Sequence, residues 1–252
     1  MLKAPVLTQA QIDHFHNAGS LVVPGAFSPD TAKILQQWTA ELAAMPEVSG
    51  KQWVYHEKSL KDPSRQLISR IENIRPFHAG FKDLGDTLLA PVGQLLGEPA
   101  VMFKEKVNFK MPGGDGFKPH QDSQAGWDKY ADFFISVMVG IDEATVENGC
   151  LEVVAGHHKR GLFRSWEPMT EADMAGMKFI HVPTKPGDLI FFDCYAPHQS
   201  QPNMSDGVRR LYYATYNKRS VGDHQAQYYA DKYKSYPPDI DREPGKKYVF
   251  RV

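Results

Sequence analysis

The chain has 252 residues, 42% of them hydrophobic and 23% charged, with 29 basic against 30 acidic side chains and a formal net charge of -1. This is the composition of a globular protein with a real core, and its near-zero charge provides no field for a polyanion, so nucleic acid is not expected as a partner. Two cysteines, Cys150 and Cys194, are too few for a disulfide framework, the N-terminus lacks a signal-peptide core, and no apolar run approaches a membrane span; a cytoplasmic protein without a membrane partner is expected.

In chain order, TQAQIDHFHNAG reads as a short helix in which Thr8 caps, Gln11 occupies the capping-box position and Gly19 suits the stop. LVVPGAF follows as strand and turn. SPDTAKILQQWTAELAAM has the strongest helical pattern, with Ser28 as cap, Pro29 in the first helical position, and Ile34, Leu35, Trp38 and Leu42 as its apolar stripe. Residues 46–80 show no readable organisation. Among them Arg70, Asn73 and Arg75 fit surface or ion-paired positions better than anion contacts. A further helix is expected over FKDLGDTLLAPVGQLLG, bent or divided at Pro91.

From residue 100 the texture changes. AVMFKEKVNFK, DFFISVMVGID, CLEVVAG, FIHVP, DLIFFDCY and RRLYYATYNK are short, rich in β-branched and aromatic residues, and punctuated by Gly, Pro, Asn and Asp. Such a series predicts a mainly β fold with flanking helices, a sandwich or jelly roll. One domain is expected, with a helical part over about residues 1–99, a jelly-roll core over about 100–220, and a tail over 221–252 that wraps the body as a loop. Cys150 and Cys194 lie in apolar strand segments and fit core positions.

The chemistry is concentrated in two places. FKPHQDSQAGW holds His120 and Asp122 one residue apart, and DLIFFDCYAPHQSQPN ends a buried-looking strand in a turn carrying His198. Two imidazoles and one carboxylate on one face leave coordination positions open, which suits an iron(II) that activates oxygen. With ten histidines in the chain, a His-x-Asp pair arises readily by accident. His157 and His158, in the basic turn AGHHKRG, fit solvated or structural roles, and the other histidines have no comparable context. Arg209 opens the strand after His198 and offers the planar fork that a distal carboxylate requires. Ser200 shares the face of His198 if the strand geometry continues.

The ordered set NFKMPGG…PHQD, VENGCLEVVAGHHKRG, PGDLIFFDCYAPHQS and the following RR resembles the phytanoyl-CoA dioxygenase superfamily, from about residue 8 to the C-terminus and most specifically between 104 and 217. The resemblance implies a double-stranded β-helix (a cupin-like jelly roll) and an iron(II)- and 2-oxoglutarate-dependent dioxygenase, with 2-oxoglutarate and O2 as co-substrates. It matches His120, Asp122 and His198 to the iron ligands. Arg209 and Ser200 match the residues that hold the distal carboxylate of 2-oxoglutarate, and Asn108 matches another co-substrate contact. Related halogenases carry a small residue where this chain has Asp122, so the resemblance implies hydroxylation of an unactivated C–H bond.

The substrate clue lies in FKEKVNFK, where Lys104, Lys106, Asn108 and Lys110 alternate onto one face, opposite Phe103, Glu105, Val107 and Phe109. If Asn108 faces the co-substrate, Lys104 and Lys106 point towards the same cavity and suit a small anionic substrate. An edge strand with solvated lysines is the alternative. Trp127 fits either a pocket wall or a packing position. The wording of the chain, including its SYPPDI…YVFRV tail, resembles bacterial phosphonate hydroxylases acting on 2-aminoethylphosphonate and related compounds. An acyl-CoA 2-hydroxylase of the same superfamily and a non-catalytic, cupin-like metabolite-binding module are the competing readings. No nucleophile elbow supports a hydrolase.

Overall fold

The long strands alternate side chains between a helix-covered face and an inner face, and this period of two sorts the molecule into layers. The computed structural model describes residues 2–249. In chain order the regular elements are α1 (Gln9–Ala18), β1 (Ser20–Val23), α2 (Pro29–Ala44), β2 (Trp53–Lys58), β3 (Gln66–Glu72), α3 (Ala79–Thr87), α4 (Leu89–Leu96), β4 (Ala100–Lys110), β5 (Phe117–His120), β6 (Ile135–Gly140), β7 (Leu151–Val153), β8 (Ile180–Val182), β9 (Leu189–Asp193), β10 (His198–Ser200), β11 (Arg209–Lys218) and α5 (Gln225–Ser235).

The strands form two antiparallel sheets, one ordered β1-β9-β6-β11-β4-β3-β2 and the other β5-β10-β7-β8. Met138, Ile190, Phe192 and Leu211 of the large sheet meet Leu151 and Val153 of the small one in a buried cluster between them. This is the predicted double-stranded β-helix, four central strands of the large sheet facing four of the small. The neighbouring residues Val137, Val139, Phe191, Tyr212 and Tyr216 turn the other way. They pack under the helices with Leu35, Leu42, Phe81, Leu84 and Val92.

Local signals set the helix ends. Thr8 and Gln11 form the reciprocal capping box of α1, Gly19 closes it in a left-handed conformation (φ 82°), and Ser28 accepts from the Thr31 N–H to cap α2. The helix expected over FKDLGDTLLAPVGQLLG divides into α3 and α4 at Leu88. Pro91 falls in the first turn of α4, where its missing N–H breaks no helical bond. In α2, Leu35 and Leu42 are buried and Trp38 partly so, but Ile34 is exposed. The buried stripe continues instead through Ala32 and Thr39.

Two segments differ from expectation. Residues 46–80 contain β2 and β3, which extend the large sheet beyond β4 with Arg70 opposite Asn108 and Glu72 opposite Lys106. Charged residues hold inner-face positions there, so no apolar alternation marks β3 in the sequence. The tail is helical rather than a loop: α5 buries Tyr228 and Tyr229 against Trp53 and Phe103. Its buried face is built of tyrosine and lysine, which an aliphatic-stripe criterion passes over. The last three residues of YVFRV lie outside the described residues. Cys150 and Cys194 are buried free thiols. Among the described residues, no helix is long and apolar enough to cross a membrane.

Candidate metal centre and cavity

His120 ends β5 and His198 begins β10, and the two are register partners across the small sheet. Their ring centroids are 4.2 Å apart. Asp122 follows His120 at the start of a short 3-10 turn, with Oδ1 4.0 Å from His198 Nε2. One ligating atom from each of the three lies within 4.8 Å of the others. Each histidine Nδ1 bonds the carbonyl two residues before it, Lys118 at 2.7 Å and Ala196 at 3.0 Å. A carbonyl only accepts, so Nδ1 carries a hydrogen in each ring and Nε2 is the nitrogen left to face a metal. Burial first, and then His198, push the His120 imidazole down to about 3. Burial opposes ionisation of Asp122, but His198, Lys104 and His120 outweigh it and hold the carboxyl below its usual range. Two imidazoles and a carboxylate are the donor set a divalent iron takes.

Buried amides fix this loop. Gln121, between His120 and Asp122, donates to the carbonyls of Gly161 (2.8 Å) and Tyr195 (2.7 Å) and accepts from the Phe163 N–H (2.8 Å). Ser136, on the inner face of β6, donates to Asp122 Oδ2 at 2.6 Å and contacts Thr215 Oγ1 at 3.0 Å. Neither supporting residue was found from the sequence, because each acts through contacts across the fold. Ser136 interrupts an otherwise apolar strand, the one local sign of a polar inner position.

Beyond the histidines the inner face of β4 carries the alternating set predicted from FKEKVNFK. Lys104, Lys106 and Asn108 line a chamber of about 40 Å³ with His120, Asp122 and His198. Ser200 lines it too, and its Oγ accepts from Lys110 Nζ at 2.7 Å. Lys110 also donates to the Gln201 carbonyl; burial, then Arg209, lowers its ammonium to about 6. Arg209 is buried, with Tyr213 beside it, and its Nε has no partner among the described residues. Asn108 is likewise buried with Oδ1 unpartnered. A buried guanidinium N–H with no acceptor, at the register position opposite Lys110, whose Nζ holds the Ser200 hydroxyl, fits a carboxylate that the protein itself does not supply.

The chamber shares Lys104, Lys106, Phe117, His120 and Asp122 with a cavity of about 610 Å³, whose wall also includes Trp127, Arg70, Glu72 and Lys232. β4 lies between β11 and β3, so its lysines do not belong to a solvated edge strand. Lys104 Nζ stands 4.1 Å from the centroid of a Trp127 ring, so Trp127 is both packed and part of the wall. Lys106 lies 5.5 Å from Tyr213 and 5.6 Å from Phe117, and burial, then Lys104, lowers its ammonium to about 7. Arg70 takes the ion-paired alternative expected of it, with Glu72 at 2.9 Å, but does so buried in the cavity wall rather than at the surface. Arg75 pairs instead with Asp86 at 2.8 Å, and Asn73 takes a left-handed turn conformation (φ 54°). His158 is buried against the His16 carbonyl, a structural position outside the site.

Among solved structures, EctD from S. alaskensis, determined with 2-oxoglutarate and 5-hydroxyectoine, superposes with a TM-score of 0.73 at 22% identity, covering 88% of this chain and 84% of that one. The likeness establishes the fold. That fold, with two histidines and a carboxylate converging on one point, defines the class: a 2-oxoglutarate-dependent, non-haem iron dioxygenase.

The chain belongs to the phytanoyl-CoA dioxygenase family, whose model matches residues 15–211. It is 36% identical over 245 residues to the 2-aminoethylphosphonate dioxygenase of uncultured bacterium HF130_AEPn_1, covering 96% of this chain and 93% of that protein. It is 35% identical over 258 residues to the methylphosphonate hydroxylase of Gimesia maris, covering 96% and 92%.

Proposed function

We propose that this enzyme hydroxylates an unactivated C–H bond of a small organophosphonate, 2-aminoethylphosphonate or a close analogue. His120, Asp122 and His198 would hold iron(II), whose contribution when bound is oxygen activation coupled to decarboxylation of 2-oxoglutarate to succinate. Arg209 meets the distal carboxylate of 2-oxoglutarate with its free Nε–H, Ser200 adds a hydroxyl oriented by Lys110, and Asn108 adds an amide at the same wall. Lys104 and Lys106 attract the substrate anion, and Trp127 backs Lys104. The observation that carries the reading is that these two ammonium groups share one chamber with the His-Asp-His group. The two phosphonate-processing relatives, similar over nearly the whole chain, support the same substrate class.

Anaerobic titration of metal-free protein with iron(II) and 2-oxoglutarate should produce the weak visible charge-transfer band of a chelated keto acid. Asp122→Asn and Arg209→Ala should lose or weaken it. With oxygen admitted, 2-aminoethylphosphonate or methylphosphonate should raise succinate formation above its substrate-free rate. A well-folded protein that gives neither band nor succinate would remove the assignment of these residues.

A further inference from the structure

Charge is unevenly distributed around the 610 Å³ cavity. Lys129 is matched by Asp231 at 3.0 Å. Arg70 Nε and Lys232 Nζ both bind the single carboxylate of Glu72, one oxygen each, leaving one positive charge in that triad. Lys104 and Lys106 add up to two more, the Lys106 ammonium being lowered to about 7, and neither makes an ion pair with a carboxylate among the described residues; the exposed Lys247 also lines the cavity. Their surroundings are rings: Trp127 at 4.1 Å and Tyr228 at 5.7 Å for Lys104, Tyr213 and Phe117 for Lys106. Asp122 stands 4.0 Å from His198 and attracts Lys104 without forming an ion pair with it. Two unpaired ammonium groups against aromatic walls repel each other and have lost much of their hydration. A singly charged ligand would leave that wall with uncompensated positive charge. A doubly charged one cancels both, and three oxygens on one phosphorus reach two separated donors more readily than the two coplanar oxygens of a carboxylate.

We propose that Lys104 and Lys106 form a receptor for a doubly charged phosphorus oxyanion head, phosphonate or phosphate monoester, and that this pair selects it over singly charged sulfonate and carboxylate isosteres. The selectivity rests on the dioxygenase reading above for its place in catalysis. It is a property of binding and is measured apart from turnover. The Arg70–Glu72–Lys232 triad joins β3 to α5 in the same cavity wall, and its single carboxylate offsets one of its two cations.

The test is calorimetric binding to oxygen-free protein loaded with iron(II) and 2-oxoglutarate. Four ligands share an aminoethyl tail: 2-aminoethylphosphonate, 2-aminoethyl phosphate, taurine and β-alanine, compared at neutral pH, where the phosphorus heads are largely doubly charged and Lys106 still holds its proton in part. The phosphonate should bind roughly 10-fold or more tighter than taurine and β-alanine, the scale of one added hydrogen bond between charged groups. Equal binding of the ester marks recognition of the dianion itself; weaker binding of the ester marks the phosphonate as the natural head. Lys104→Met and Lys106→Met should each remove most of the preference while 2-oxoglutarate affinity holds, and Lys104→Arg should retain it. Wild-type protein that binds taurine as tightly as the phosphonate would overturn the proposal, as would a preference undiminished in both methionine variants. The keto-acid band without phosphorus selectivity would sink the receptor and spare the dioxygenase reading. Selectivity without the band would do the reverse.

Discussion

Ser136, the second residue of β6, donates a 2.6 Å hydrogen bond to Oδ2 of Asp122, leaving Oδ1 turned towards His198. The bond crosses from the large sheet to the loop after β5, so it couples the orientation of the carboxylate to the position of a core strand. Ser136→Ala removes the donor without adding volume. Metal affinity should fall by about 10-fold or more, as for other groups that orient a ligand from behind. Anaerobic iron(II) or cobalt(II) titration measures this, with a thermal melt of the metal-free protein as control. Unchanged affinity would mean that the loop alone orients Asp122.

Arg209 should act on 2-oxoglutarate and on nothing else. Arg209→Ala is expected to raise the Michaelis constant for 2-oxoglutarate by roughly 10- to 100-fold, the scale of a lost bond between charged groups. Arg209→Lys keeps the charge but not the planar fork, so it should fall between wild type and alanine. If both variants behave like wild type, the free Nε serves some other partner.

Gly116 lies where the chain enters β5, and a Cβ there would stand 2.3 Å from the Ser200 carbonyl oxygen and 2.9 Å from the Gln201 carbonyl carbon. Both neighbours are backbone, which yields little. Gly116→Ala must therefore push β5 from the end of β10, and these two strands carry His120 and His198. A loss of about 1–3 kcal/mol is expected from the overpacking, together with weaker metal binding. Urea denaturation and metal titration on the same sample check both; a stable variant with full affinity would show that the entry to β5 gives way freely.

Glu105 is a buried carboxyl on β4 that accepts from the Ile74 N–H at 2.9 Å and the Arg75 N–H at 3.2 Å. Burial raises it from 4.5 to about 7, against the pull of those bonds and the Arg75 charge. The folded state thus keeps a proton that the unfolded chain releases. Its contribution to stability is complete below about pH 4.5 and is lost as pH rises through about 7, roughly 3 kcal/mol across the window. Glu105→Gln should flatten that decline, as read from urea denaturation at a series of pH values. An identical slope in the variant would assign the pH dependence to other groups.

Much of this molecule was legible in one dimension because the signals are local. The capping box at Thr8 and Gln11, the strand alternation of residues 100–110 and the His-x-Asp pair are determined within a few residues of chain, and the resemblance of the ordered motifs to the dioxygenase family carried the class and the ligand set. What the linear pattern did not contain are pairings between distant segments. Ile34 fits the apolar stripe of α2 by spacing, but its face receives no neighbour. β3 and α5 place arginine, glutamate, lysine and tyrosine on inner faces, where a hydrophobic pattern cannot register them. Lys232 meets Glu72 across 160 residues of chain. Only the tertiary structure decided that Lys104 and Lys106 belong to an interior strand, that Ser136 stands behind Asp122, and that Arg70 faces the cavity. The physical reason is the same in each case: a charge or hydroxyl is buried because another segment supplies its partner, and the sequence around either partner alone carries no sign of the other.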